Sequence, residues 1–391
     1  MENLRIAQIT AHFQPRQYGG FEYYLCEGLS KLGHKVCLVT SDRIAPRYSE
    51  NRSSIGVGEE TVGKYKVFRF RTLFELRSVP FVRITNFLSD LDFDVVHAHE
   101  IYQPISIESF YAAMKKEKPY GFTQHRSYCP KNAQGSFLKL FYRSLGKKII
   151  DSCAFVCATS TSAVEFLRNL GVKRRIEKLP NCLDTEKFRP NIRTNLKEKL
   201  GLQNHRLILF AGRLHREKGL RYLIRAFRLI RDRYSDTKLI IAGRGPEREN
   251  LEHQVAALNL HNNVVFLDYF PYEKMPELYN VCDIFVLPSV VEPFGMALIE
   301  AMSCGKPAIG SRVGGINDII ENSKNGFLTE PRNLGQLAEK IEILLSDEKL
   351  RIKFGRNGRE KAQNTFSYGA VAQKATRIYE KALEASMRIS I

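Results

Sequence analysis

The chain has 391 residues, 43% of them hydrophobic and 26% charged, which suits ordinary folded cores and, at this length, two domains. No uncharged apolar run approaches the about 20 residues of a membrane span, and the opening Met-Glu-Asn-Leu-Arg-Ile-Ala lacks a signal-peptide pattern, so a cytosolic protein is expected. The formal net charge of +18 is spread along the chain, with a modest N-terminal bias. It suits anionic partners (nucleic acid, acidic lipid, phosphorylated substrates) or simply solubility.

In chain order, strands are predicted at Arg5–Thr10, Lys35–Thr40, Val67–Phe70, Asp94–Ala98, Gly121–Gln124 and Ala154–Thr159. Helices lie between them, such as Phe21–Leu32 and Ser162–Asn169. The segment Leu179–Pro190 is rich in turn residues and predicts a linker. A second series follows, with strands at Leu207–Ala211, Lys238–Ala242, Val264–Leu267, Ile284–Leu287 and Pro307–Gly310. Its helices include Leu220–Tyr234, Arg248–Leu258 and Ala297–Ser303, and Ser367–Ala385 forms a terminal amphipathic helix. Alternation of this kind predicts parallel sheets covered by helices. Two such sheets in tandem are expected to bind ligands in a cleft at their strand C-termini. The eight cysteines are scattered. Cys153 and Cys157, at helical spacing in apolar surroundings without partner histidines, are expected to be buried thiols.

The most informative stretch is Glu292-Pro-Phe-Gly-Met-Ala-Leu-Ile-Glu300, which joins the Ile284–Leu287 strand to a helix. Its N-terminal N–H groups and dipole attract a phosphate, and Gly295 lets backbone approach closely. Glu292 can then bind hydroxyls beyond the phosphate, and Glu300 can bind the cis-diol of a ribose. The alternative is a buried strand–helix corner with two solvated glutamates. Arg213 and Lys218, in Gly212-Arg-Leu…Glu217-Lys-Gly219, emerge together at another strand's C-terminal edge. Two cations there can neutralise a diphosphate as it departs.

Weaker signals accompany these. Gly19-Gly20 precedes a helix but lacks P-loop form. Gly243-Arg-Gly245-Pro246 lacks the third glycine of a dinucleotide fingerprint and predicts a tight turn. Gly314-Gly315 and Asn325-Gly-Phe-Leu328 are expected to be mainly structural, with a nucleotide approach left open. His97 and His99 share one face of a strand; with no third ligand apparent, a metal is not expected. His125, after the next strand, is better placed to meet a sugar or an acceptor. Asp90-Leu-Asp92-Phe-Asp94 formally contains Asp-x-Asp but precedes a strand, away from the expected site. Phe137–Ile150 mixes apolar and basic residues, as an anionic-membrane helix or an ordinary core helix would.

Together these segments resemble the family 4 retaining glycosyltransferases over nearly the full length. They run in that family's order: Gly-Gly-x-Glu (19–22), Asp-Val-Val-His-Ala-His (94–99), Thr-x-His (123–125), Asn-x-x-Asp (181–184), Gly-Arg-Leu…Glu-Lys-Gly (212–219), Gly-x-Gly-Pro (243–246), Glu-x7-Glu (292–300), Gly-Gly (314–315) and Asn-Gly-Phe-Leu (325–328). Cys182 replaces the usual linker glycine, and Pro293 stands where Gly is frequent. Asp318 stands for a common Glu, and Tyr368 for a frequent Trp.

The resemblance implies an α/β GT-B fold, with two Rossmann-like domains facing across a deep cleft. Residues 1–186 plus 367–391 would form the acceptor-binding domain, and 187–366 the nucleotide-sugar-binding domain. By the same resemblance Arg213 and Lys218 hold the diphosphate, and Glu300 the ribose. Glu292 and the backbone of Phe294, Gly295 and Met296 hold the transferred sugar. Gly20 and His125 close on donor and acceptor, and His99 joins the acceptor side. Transfer would proceed with retention, without a metal or other cofactor. The acceptor would be a glycan or a lipid-linked phosphate, with an anionic membrane face as a further partner. The residues leave open a sugar-nucleotide epimerase on a similar frame. A nucleic-acid-binding protein ranks last, because no motif for it appears.

Overall fold

The protein is described by a computed structural model covering residues 3–14, 20–44, 54–76, 79–128 and 133–389. Strands such as Arg206-Leu-Ile-Leu-Phe-Ala211 are apolar without alternation, the signature of a strand buried on both faces of a parallel sheet. The chain divides into two units, Met1–Cys182 with Tyr368–Ile391, and Leu183–Ser367.

Among the described residues the first unit has an eight-stranded sheet. Its order is Glu177–Lys178, Phe155–Ala158, Tyr120–Gln124, Val95–His99, Arg5–Ile9, Lys35–Ser41, Tyr65–Phe70 and Gly58–Val62. All neighbours pair parallel except the last, which runs antiparallel. Central strands match the sequence expectation to within a residue or two. The edge strand Gly58-Glu-Glu-Thr-Val62 was not anticipated, since it is short, mostly exposed and lacks an apolar run. The final helix Tyr368–Ile389 lies on Phe21–Lys31. Contact is so close that a Cβ on Gly28 would stand 2.6 Å from the Tyr368 carbonyl oxygen.

The second unit's sheet, among the described residues, has six parallel strands. Their order is Val264–Leu267, Thr237–Ala242, Arg206–Ala211, Ile284–Leu287, Ala308–Ser311 and Gly326–Thr329. The turn-rich segment after Leu183 packs with this unit. Asp184 accepts hydrogen bonds from the N–H groups of Glu186 and Lys187, and Phe188 is buried against Tyr272 and Tyr279. At the crossing, the Leu183 N–H donates to the Phe366 carbonyl at 3.0 Å.

Two weaker signals resolve here. Asp92 and Asp94 are both taken by Arg5, whose guanidinium and N–H hold the Asp94 carboxyl below the usual carboxylate range. The Asp-x-Asp run is thus a strand-end clamp. Phe137–Ile150 forms parts of two helices, Ala133–Arg143 and Leu145–Ser152. Leu138, Phe141, Tyr142, Ile149 and Ile150 enter the core, while Phe137 and Leu140 stay 64% and 66% exposed. The seven described cysteines are free thiols, and burial raises Cys157 to about 12.

Candidate active site

In the second unit the strand Ile284–Leu287 ends in Pro288-Ser289, and the chain turns through Glu292 into the helix Met296–Ser303. Gly295 opens that helix at φ 111°, a left-handed backbone that a side chain would strain. The helix's first N–H groups have no acceptor within the helix, although Leu298 already donates to the Gly295 carbonyl.

Glu292 is buried, and its Oε2 accepts from Lys218 Nζ at 2.6 Å and from the Ser289 hydroxyl at 3.0 Å. Lys218 reaches it because Val290 N–H donates to the Glu217 carbonyl, tying the two loops together. Gly219, at φ 69°, permits this: a Cβ there would stand 2.0 Å from the Pro288 carbonyl oxygen. Arg213 lies on the same loop, exposed, 3.4 Å from Glu217.

Glu300 projects from the start of the helix's second turn and is also buried. Its Oε2 accepts from the Tyr279 hydroxyl at 2.7 Å. Burial pushes its carboxyl up to about 7, against the opposing pull of the Tyr279 hydroxyl, Lys187 and the Tyr272 hydroxyl. Lys187 itself stacks 4.3 Å over the Tyr272 ring, and burial lowers its pKa. Tyr272, Tyr279 and Lys187 come from segments distant in sequence, and no local motif marks them.

The glycine pairs prove to be backbone clearances. A Cβ on Gly314 would meet the Glu292 carbonyl oxygen at 1.8 Å, and one on Gly315 the Phe294 Cα at 2.5 Å. A Cβ on Gly243 would meet the Gly212 carbonyl oxygen at 1.9 Å, and one on Gly245 the Leu214 carbonyl oxygen at 2.4 Å. Both pairs therefore brace the loops that carry Glu292 and Arg213.

The first unit gathers a second set of residues. Gly19 lies outside the described residues. Gly20 caps the helix Phe21–Lys31 at φ −58°, so it needs no left-handed backbone, and Glu22 sits in that helix's first turn. His99 ends its strand wholly buried, with Nδ1 3.2 Å from His125 Nε2 and Nε2 2.9 Å from Gln8 Oε1. Burial lowers the His99 pKa to about 3, so its ring stays neutral. His125 is held by its backbone: Glu100 Oε1 accepts from the N–H groups of His125 and Arg126 at 3.0 and 2.8 Å. His97 turns away, its Nδ1 2.6 Å from the Tyr379 hydroxyl and its Nε2 2.7 Å from Thr123 Oγ1.

Two family models cover most of the chain. Residues 21–187 match glycosyltransferase family 4, and residues 192–361 match glycosyl transferases group 1. The chain is 28% identical over 395 residues to an uncharacterized glycosyltransferase of Methanocaldococcus jannaschii, covering 97% of this chain and 99% of that one. It is 30% identical over 284 residues to a D-inositol 3-phosphate glycosyltransferase of Pseudarthrobacter chlorophenolicus, covering 70% and 67%. Its fold is similar to that of Anabaena HepE solved in complex with UDP, with a TM-score of 0.76 at 21% identity over 96% and 98% of the two chains. With two Rossmann-like α/β units of the GT-B type and family matches in both, the chain belongs to glycosyltransferase family 4.

Proposed function

We propose that the enzyme moves a sugar, with retention of anomeric configuration, from a nucleoside diphosphate sugar held by the second unit. The observation that carries this is the Lys218–Glu292 pair at 2.6 Å, braced beside the glycine-opened N-terminus of the helix that bears buried Glu300. Arg213, Lys218 and that N-terminus take the diphosphate. Glu300 takes the ribose diol, and Glu292 with the Phe294-Gly295-Met296 backbone takes the transferred sugar. Charge on the departing diphosphate is met by Arg213 and Lys218, so transfer needs no metal. In the first unit Gly20 closes on the donor, and His99 and His125 serve the acceptor side. HepE was solved with UDP, which supports a nucleotide donor.

Thermal stabilisation by a panel of UDP-, GDP- and ADP-sugars tests the donor site. One nucleotide series is expected to raise the midpoint of wild type and not of Glu300→Gln. The effect is pH-dependent because the folded-state pKa of Glu300 is raised from 4.5 to about 7. Its contribution to stability is complete below 4.5 and is lost as pH rises through about 7, a fall that Glu300→Gln removes. Donor binding, which needs the carboxylate, strengthens over the same rise. Equal shifts in wild type and Glu300→Gln would overturn the ribose assignment.

The acceptor is proposed to be an anionic glycan or a lipid-linked phosphate at a membrane face. No helix among the described residues is long and apolar enough to cross a membrane. Exposed Phe137 and Leu140 beside exposed Lys139 and Arg143 suit contact with an acidic bilayer instead. Co-sedimentation with phosphatidylglycerol vesicles at low salt is expected for wild type, and to weaken in Phe137→Ser/Leu140→Ser. No difference between the two proteins would remove this surface as the contact.

A further inference from the structure

We propose that Glu22, His99 and His125 form a binding site for a first-row transition-metal cation, with Zn2+ the best match. It is distinct from the diphosphate site and lies wholly within the first unit.

The geometry supplies a ligand set. One ligand atom from each of the three residues lies within 4.8 Å of the others, the only such group of three among the described residues. His99 Nδ1 and His125 Nε2 stand 3.2 Å apart, close to the separation of two ligands about 2.0–2.1 Å from one ion. Glu22, from the first turn of the helix Phe21–Lys31, presents a carboxylate oxygen within 4.8 Å of both imidazole nitrogens. Two imidazoles and one carboxylate suit Zn2+ and its neighbours, and not Mg2+ or Ca2+, which take oxygen ligands.

The surroundings favour the metal-binding form of His99. Gln8 presents Oε1 to His99 Nε2 and donates its Nε2 to the Tyr379 hydroxyl at 3.0 Å, which assigns the His99 proton to Nε2. The Nδ1 lone pair therefore faces His125. A ligating histidine typically has its far N–H donated to an oxygen in this way. Tyr379 is fixed in turn by His97, and His97 by Thr123. Thr10 Oγ1, 3.3 Å from Glu22 Oε1, orients the carboxylate. Phe21 packs edge-on to both imidazoles, with ring centroids at 5.4 and 5.1 Å, and limits their rotation. Glu22 and His125 are only partly buried, so an ion can enter and keep a water in its fourth position.

Its effect on turnover rests on the acceptor role proposed for His125. An ion bound to Nε2 ties up that ring, so Zn2+ inhibits transfer and a chelator restores it.

The test is equilibrium dialysis of the full chain against ZnCl2, with Co2+ absorption to report the ligand type. Wild type is expected to bind one equivalent, with a nitrogen/oxygen-type Co2+ spectrum and no thiolate charge-transfer band. Glu22→Gln and His125→Ala, at partly exposed positions, are expected to bind at least about tenfold more weakly. Circular dichroism checks that each variant is folded. No stoichiometric uptake by wild type, or equal affinity in both variants, would overturn the site. Binding that leaves transfer unchanged would support the site and count against His125 as an acceptor group, so the two readings fail separately.

Discussion

Replacing Lys218 with alanine is expected to lower kcat/KM at least tenfold, about 1.4 kcal/mol of transition-state stabilisation, and up to about a hundredfold if Lys218 acts as a full electrostatic stabiliser. Its ammonium lies 2.6 Å from Glu292 in a mostly buried pair, with side chains 15% and 8% exposed. Removal withdraws a cation from the proposed diphosphate site and leaves the Glu292 Oε2 with the Ser289 hydroxyl. Stability should also fall, by on the order of 1–3 kcal/mol, below the cost of breaking a fully buried pair. Affinity for the free nucleoside diphosphate separates the roles. Lys218→Ala should weaken it at least about tenfold. Glu292→Gln should leave it nearly unchanged, because Glu292 is assigned to the sugar. Isothermal titration that finds equal diphosphate affinity in wild type and Lys218→Ala would remove Lys218 from the phosphate site.

Gly314→Ala is expected to destabilise the protein by about 2 kcal/mol or more, combining left-handed strain with overpacking. Gly314 sits at φ 50°, and a methyl group there would lie 1.8 Å from the Glu292 carbonyl oxygen. The Glu292 backbone must move, so donor binding should fail as well. Gly201 is the matched control, at φ 66° with nothing within 4 Å of an added Cβ. Gly201→Ala carries the backbone strain alone, about 1–2 kcal/mol. Chemical denaturation of the two variants reads the difference. Equal losses would show that the Glu292 loop yields freely, and would undo the bracing role given to Gly314.

Much of the frame that positions the candidate site is legible in the sequence. The alternation of apolar strands and amphipathic helices located both sheets, because a strand buried on both faces must be apolar throughout. The eight-residue interval between Glu292 and Glu300 placed both on one strand–helix junction. The supports of these residues were not legible. Glu300 accepts from Tyr279 of another helix and feels the charge of Lys187 from the turn-rich segment, neighbours that tertiary packing alone brings near. Gly314-Gly315 left a nucleotide approach open, while in the structure they clear the main chain of Glu292 and Phe294. The histidines show the same limit. Their i, i+2 spacing drew attention to His97 with His99, yet His97 bonds Tyr379, and His99 meets His125 and Glu22 from two other elements.

The phenol of Tyr379 has a consequence for how the molecule is made. It bonds Gln8 and His97, which face each other on two adjacent central strands, yet it follows the whole of Leu183–Ser367 in the chain. The residues of the second unit, including Leu183 and Phe366 that pair at its two ends, are all made before the helix that completes the first unit's interior. The first unit is therefore discontinuous in the chain: its helix Phe21–Lys31 is covered only by Tyr368–Ile389, a segment that follows the second unit. The alignment of Gln8 with His99 thus depends on a side chain from the far side of the second unit's sequence.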